Sequence, residues 1–301
     1  RTQFWLISRP APLNSISSLI KAASAAFKAH NISDSAQLDA ELLMSYSLNQ
    51  TRTYLYTWPE KTPSESEQAC FNALVKQRLQ GKPIAHLTQQ REFWGLNLKV
   101  TPDTLIPRPD TEILIETALQ KLVTTKALDN ESQQACSILD LGTGTGAIAL
   151  SLKAEHPACQ VTAVDFSLAA LEVAKQNANT HQLPVNFVHS SWFEALDTQQ
   201  PFDLIVSNPP YIEAQDPHLS KGDVRFEPLS ALTAGTDGLD DLRLIIRQAC
   251  AFLKNNGWLM VEHGYNQAGA VAQLFEAQHF KNIETIEDYG QNPRITVGQK
   301  I

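Results

Sequence analysis

The stretch Ser137-Ile138-Leu139-Asp140-Leu141-Gly142-Thr143-Gly144-Thr145-Gly146-Ala147 restricts the fold more than any other part of the chain. A short apolar run ends near an acid, glycine follows at every second position, and a helix-forming segment comes next. Glycines so spaced permit a tight strand-to-helix turn and let backbone approach a ligand, with the N–H groups of the new helix pointing at it. The same punctuation recurs downstream. Gln160–Asp165, Val185–His189, Phe202–Ser207 and Trp258–His263 are short apolar runs, and Leu168–Asn179 and Asp241–Leu253 read as helices between strands. Such alternation predicts an α/β fold, a parallel doubly wound sheet with helices on both faces. Ile283–Tyr289 and Arg294–Gln299, joined by the turn Gly290–Pro293, read as an antiparallel pair closing it. A ligand is expected at the carboxyl ends of the parallel strands.

Upstream the texture is helical. Ile16, Leu19, Ile20, Ala23 and Phe27 fall at helical spacing, as do Leu38, Leu42 and Leu43 with Tyr46, and Ser35 could cap the second helix. Ala69 to Leu79 gives a further amphipathic helix, ended by Gly81 and Pro83. Glu92 to Val100 then alternates around Gly95, and Leu105 to Pro109 is proline-punctuated and extended. A chain of 301 residues holds one large and one small domain. The division expected is a small helical N-terminal domain over 1–90, a β-hairpin connector over 91–108 and the α/β domain over 109–301.

Charge is unevenly spread within the net −8. Residues 1–90 hold 9 Lys/Arg against 6 Asp/Glu, and residues 91–301 hold 15 against 26. The acidic larger part is a poor match to bare nucleic acid, whose affinity comes mainly from phosphate neutralisation. Cys70, Cys136, Cys159 and Cys250 form no CxxC or metal-ligand spacing and read as reduced thiols of a cytoplasmic protein. No apolar stretch reaches membrane-spanning length. The short patch Phe4 to Ile7, followed by Arg9 and Pro10, does not make a secretory signal. No zinc spacing, cation-rich phosphate loop or Ser/His/Asp ordering is present, so no metal is expected. Of the eight histidines only His263, at a strand end, stands out, and a core role suits it better than a catalytic one.

Gly142, Gly144 and Ala147 also satisfy the dinucleotide-binding pattern GxGxxG/A, so the loop by itself is ambiguous. Two carboxylates favour another ligand. Asp140, two residues before the first glycine, would repel a pyrophosphate but suits the ammonium and sulfonium of S-adenosylmethionine. Asp165 ends the second strand about twenty residues on, where an acid can accept from both ribose hydroxyls. The tetrapeptide Asn208-Pro209-Pro210-Tyr211 follows the strand expected beside the first. Its prolines hold the chain extended as it leaves the sheet. The Asn208 side-chain carbonyl and the Pro209 backbone carbonyl can together accept the two N–H groups of one –NH₂, and Tyr211 offers a ring to a planar acceptor. Amide and aromatic amine nitrogens are weak nucleophiles, so positioning and hydrogen-bond polarisation must carry much of the catalysis. A nicotinamide-dependent dehydrogenase would leave Asp140 and this tetrapeptide without a task. An adenine-N6 DNA or RNA methyltransferase would use both, but usually brings a basic groove that this sequence lacks.

With these residues in view, the chain resembles the bacterial protein-(glutamine-N5) methyltransferases that modify class 1 peptide chain release factors, the HemK/PrmC family. The likeness runs through Gly81-Lys82-Pro83-Ile84-Ala85-His86-Leu87, Glu92-Phe93-Trp94-Gly95 and Leu105-Ile106-Pro107-Arg108-Pro109-Asp110-Thr111-Glu112. It continues in the glycine loop, Asn208–Tyr211, Gly222-Asp223-Val224-Arg225-Phe226-Glu227-Pro228 and Asp288-Tyr289-Gly290. The resemblance implies a seven-stranded Rossmann-like methyltransferase domain behind a helical domain that helps recognise the substrate. It implies methyl transfer from S-adenosyl-L-methionine, leaving S-adenosyl-L-homocysteine, to the Gln of a Gly-Gly-Gln motif. By the same analogy Gly142, Thr143, Gly144, Thr145 and Gly146 wrap the methionine part of the cofactor and Asp165 holds the ribose. Trp192 sits beside the adenine, Arg108 and Pro109 border the site, and Asn208 touches both cofactor and acceptor. Many relatives carry an acid just before the position of Trp192, where this chain has Ser190-Ser191, so that contact to the adenine amine is expected to be missing or replaced by backbone.

Overall fold

A computed structural model describes residues 14–128 and 136–301; the patch Phe4 to Ile7 lies outside them. The described residues form two compact units, one reaching to Gln89 and including Ser220–Phe226, the other made of Gln90–Leu219 and Glu227–Ile301.

The smaller unit contains α1 (Ile16–Ala29), α2 (Ala36–Leu48), α3 (Arg52–Thr57), α4 (Glu65–Leu79) and α5 (Ile84–Thr88). Ser15 caps α1 by accepting from Ser18 N, and Ser64 with Glu67 forms a reciprocal capping box at α4. Such caps are each worth about 1 kcal/mol. Ser35 sits at the start of α2, but its hydroxyl turns to Asp39 at 3.3 Å rather than to the backbone. The buried face of α2 is Ala36, Ala40, Leu43 and Met44, while Leu38 and Tyr46 are exposed. The expected stripe is rotated from this face because Ala36 and Ala40 carry little apolar signal. Ile16, Ile20, Phe27, Leu43, Met44 and Phe71 fill the core between the helices.

The segment Ser220–Phe226 is tied into this unit by Arg78. That buried guanidinium donates to Asp39 Oδ2 at 2.9 Å, to Asp223 Oδ1 at 2.8 Å and to the Lys82 carbonyl at 2.9 Å. The backbone at Gly81 favours glycine. Its φ is +90°, and a Cβ would come within 1.7 Å of Arg225 Nη2. Two sequence motifs 140 residues apart, one around Gly81 and one around Asp223, are thus a single fastening.

The larger unit begins with the hairpin β1 (Gln90–Phe93) and β2 (Leu96–Lys99), turning at Trp94 and Gly95, both at positive φ. Phe93 and Leu98 are buried in the unit's core, so the hairpin packs as part of it. Next come α6 (Glu112–Leu128), β3 (Ser137–Leu141), α7 (Ala147–Glu155), β4 (Gln160–Asp165), α8 (Leu168–His181), β5 (Asn186–His189) and β6 (Phe202–Ser207). After three 3-10 turns, α9 (Asp240–Phe252), β7 (Leu253–Glu262), α10 (Ala268–Ala277), β8 (Lys281–Glu287) and β9 (Pro293–Gln299) complete it. The seven-stranded sheet has the order β5-β4-β3-β6-β7-β9-β8 and is parallel except at β9, which runs antiparallel to both neighbours.

Both faces of the sheet are buried, which is why its central strands are continuous apolar runs. Successive residues feed opposite cores: Ile138, Leu204 and Val206 join the core under α6 and α7, while Leu139, Leu141 and Ile205 join the core under α9 and α10. The parallel start of β3 and β4 corrects one expectation. Cys136 and Cys159 precede these strands, their Cα atoms are 4.6 Å apart, and their sulfurs are joined as a disulfide. A spacing of 23 residues is one strand–helix unit and has no look of a pair in the sequence. Cys70 and Cys250 are free thiols. No described helix is long and apolar enough to cross a membrane, and the described residues hold no cluster of three potential metal ligands.

Candidate active site

A cavity of about 500 Å³ opens at the carboxyl ends of β3, β4 and β6. Its floor is the glycine turn. Gly142 N and Thr143 N donate to the Val164 carbonyl, both at 2.9 Å, and Asn177 Nδ2 holds the Thr145 carbonyl at 2.9 Å. Gly144 has φ +55°, lines the cavity, and would place a Cβ with no protein atom within 4 Å, in the space a ligand would use. Thr143 and Thr145 line the cavity with it; Gly146, at the start of α7, does not.

Asp165 faces the cavity from the end of β4. Its Oδ2 accepts from Gly144 N and its Oδ1 from Ser167 N, each at 2.8 Å. Burial raises its pKa against these backbone hydrogen bonds. Each oxygen keeps a further lone pair, so the carboxylate can still accept from two adjacent hydroxyls. Trp192 forms another wall, and its indole hydrogen-bonds Asp241, whose pKa burial raises. Ser190 is buried, donates to the Trp192 carbonyl at 2.9 Å and accepts from Ala195 N at 3.0 Å. Ser190 therefore shapes the turn bearing Trp192, and Ser190 and Ser191 both line the cavity. Arg108 lines the opposite side and pairs with the buried Glu227, which also accepts from Ile106 N at 2.9 Å.

Asp140 is placed differently from a ligand-facing acid. It is fully buried beneath the loop and does not line the cavity. Its Oδ2 accepts from the Thr143 hydroxyl at 2.6 Å and Ala149 N at 3.2 Å, while Oδ1 has no hydrogen-bond partner. Burial pushes its pKa up to about 7.

Asn208 and Pro210 line the cavity; Pro209 and Tyr211 do not. Asn208 Nδ2 donates to Thr111 Oγ1 at 3.1 Å, and that hydroxyl donates to Glu262 Oε2 at 2.7 Å. The ring of Tyr211, expected against the acceptor, packs instead on the core under α9, with its hydroxyl donating to Glu262 Oε1 at 3.1 Å. Burial, then the neighbouring Glu262 charge, drives the phenol pKa far up, so it stays protonated. Glu262 itself is buried, and its pKa is pushed up to about 7. His263 is a core residue as expected, its ring nitrogens on the Gly264 carbonyl and the Thr296 hydroxyl, both at 2.9 Å. Thr111 and Glu227 stand in motifs of the sequence without a role assigned to them, and Asp241 and Glu262 carry no motif signal at all. Glu262 lay one position from the histidine that drew attention.

A sheet of this order, with a glycine turn and an acid at neighbouring strand ends above it, defines a Rossmann-like S-adenosylmethionine-dependent methyltransferase domain. Residues 117–223 match the methyltransferase small domain family and residues 18–88 the PrmC N-terminal domain family. Over 268 residues the chain is 50% identical to the release factor glutamine methyltransferase of Aliivibrio fischeri, covering 89% of this chain and 91% of that one. It is 49% identical over 268 residues to that of Salmonella typhimurium, covering 89% and 93%. The chain belongs to the release factor glutamine methyltransferase family. Among solved structures, the hMettl16 catalytic domain matches with a TM-score of 0.55 at 18% identity over 72% of this chain and 80% of that one, a likeness of fold.

Proposed function

We propose that this chain transfers a methyl group to the side-chain amide nitrogen of the Gln in the Gly-Gly-Gln motif of class 1 peptide chain release factors, acting in the cytoplasm on protein rather than nucleic acid. The observation that carries the reading is the Asn208 amide, held at the cavity by its Nδ2 so that its Oδ1 remains to accept an N–H. S-adenosyl-L-methionine bound in the cavity supplies an electrophilic methyl on a sulfonium and leaves as S-adenosyl-L-homocysteine. Gly142, Thr143, Gly144 and Thr145 border its methionine part, Arg108 borders the site, Asp165 accepts from the ribose hydroxyls, and Trp192 lies beside the adenine. The cavity volume, the room at Gly144 and the spare lone pairs of Asp165 fit such a ligand.

The residues at β6 then orient the acceptor. Asn208 Oδ1 and the Pro209 carbonyl accept the two N–H groups of the glutamine amide, fixing its plane and turning its nitrogen lone pair toward the methyl; as the N–C bond forms and the S–C bond breaks, one of the two N–H protons is lost to solvent. Pro210 keeps this turn rigid, and Tyr211 braces it from behind through Glu262. Two accepted hydrogen bonds raise electron density on the amide nitrogen, and a fixed attack geometry supplies much of the remaining acceleration. Asp140 supports the loop rather than touching the ligand. The helical unit recognises the release factor, and the larger unit, which includes the hairpin expected as a connector, carries the chemistry.

Labelled methyl transfer to an unmodified release factor tests this. Transfer is expected, and it should vanish when the Gln of Gly-Gly-Gln is replaced by Ala. Transfer to adenine in DNA or RNA, with none to the factor, would favour a nucleic-acid enzyme instead.

A further inference from the structure

We infer that Thr111 and Glu262 are positioning residues which fix the amide orientation of Asn208, so that its carbonyl oxygen rather than its –NH₂ meets the methyl acceptor. This rests on the reading that Asn208 accepts from a glutamine amide.

An asparagine amide presents a donor on one side and an acceptor on the other, and the two orientations have nearly the same shape. At this site the difference is functional. An Oδ1 facing the acceptor accepts its N–H, whereas an Nδ2 there would place two like donors together. Shape cannot select between them, so a hydrogen-bond partner must.

The selection runs through one hydroxyl. Thr111 Oγ1 has a single proton, and it lies 2.7 Å from Glu262 Oε2. An ionised carboxylate only accepts, so the Thr111 proton is committed to it. What Thr111 offers Asn208 is then a lone pair, and only Nδ2, 3.1 Å away, can use it. Tyr211 donates to the other carboxylate oxygen at 3.1 Å and so occupies it with a second donor. The three side chains come from positions 111, 208 and 262 and form a relay with one direction: Asn208 to Thr111 to Glu262. Thr111 is buried in the 3-10 turn just before α6 and also lines the cavity, so the relay begins at the site itself.

Protonated Glu262 would break the direction. A carboxylic acid can donate to Thr111, whose proton is then free to point at Asn208 Oδ1, and the amide can turn over. The groups around Glu262 set where this occurs. Burial raises its pKa to about 7, with Asp110 adding to the rise, while Thr111, Tyr211 and Arg294 oppose it. Arg294 is itself shared with Asp288 at 3.0 Å and Asp110 at 3.5 Å. The orientation device is therefore complete above this titration and loosened below it.

The test uses the full chain with an unmodified release factor and measures kcat, KM and their pH dependence. Thr111→Val keeps the shape and removes the hydroxyl; kcat should fall about tenfold, the equivalent of one hydrogen bond of about 1.4 kcal/mol. Thr111→Ser restores the hydroxyl and should restore kcat. In the wild type kcat should rise with pH through the Glu262 titration, and Glu262→Gln, which accepts from Thr111 without ionising, should flatten that rise. Wild-type kcat in Thr111→Val, a loss that Thr111→Ser does not repair, or an unchanged pH limb in Glu262→Gln would overturn the inference. Should Thr111→Val not fold, the Glu262→Gln profile decides alone. Failure of the wild type to methylate the factor would instead overturn the proposed substrate, so the two failures are separable.

Discussion

Asn208 has one side committed to Thr111, and on the function proposed above the other side meets the acceptor, which makes it the residue on which catalysis should depend most. Asn208→Ala removes the acceptor that the proposed function aims at the reacting amide. Turnover is expected to fall about 10²-fold or more, in line with the loss of one preorganised hydrogen-bonding group in other active sites. Circular dichroism and the thermal midpoint should stay near wild type, because the side chain is not part of the core. Asp140 behaves oppositely, as a support with an electrostatic penalty. Its pKa is pushed up to about 7 by burial, with the Asp165 charge a lesser cause, and one oxygen lacks a partner. A raised folded-state value means the folded chain keeps a proton that the unfolded chain releases near pH 4. The stability so contributed is full below pH 4, shrinks as pH rises, and is gone above about 7. Asp140→Asn keeps the acceptor for Thr143 and Ala149 without the charge. Its thermal midpoint should match or exceed wild type at pH 8, and its advantage should shrink toward pH 4. A variant that loses stability uniformly across that range would mean the carboxylate charge supports the loop.

At the scale of elements, buried strands announced themselves and fastenings did not. β3, β4 and β6 matched their expected bounds because strands covered on both faces are unbroken apolar runs. β7 starts five residues earlier than expected, since Lys254-Asn255-Asn256-Gly257 reads as a turn while Leu253 pairs with Phe202. In the helical unit, the existence of α2 is legible but its buried face is not, because Ala36 and Ala40 are buried without a strong apolar signature. The Arg78 fastening was invisible, since its partners are 39 and 145 residues away. Removing it leaves Asp39 buried without its cation. Arg78→Ala should destabilise the helical unit by about 3–5 kcal/mol, as loss of one partner from a buried pair does elsewhere, read by chemical denaturation.

For the whole molecule, the local motifs exposed the ligand class and the long-range contacts supplied the rest. The glycine turn, Asp165 and Asn208 each declare themselves within a few residues, so the cavity they line was foreseeable. Glu262 meets Thr111 across 151 positions and Tyr211 across 51, so no motif contains the relay. Tyr211 was legible as important but not in role, because only the packed core shows that its ring turns inward. The central claim is that a protein amide nitrogen receives the methyl. Peptide mass spectrometry of a release factor incubated with the purified chain and S-adenosylmethionine tests this most directly. One methyl group on the Gln of Gly-Gly-Gln is the predicted result; an unmodified Gln, with methyl on another residue or on adenine in nucleic acid, would contradict it.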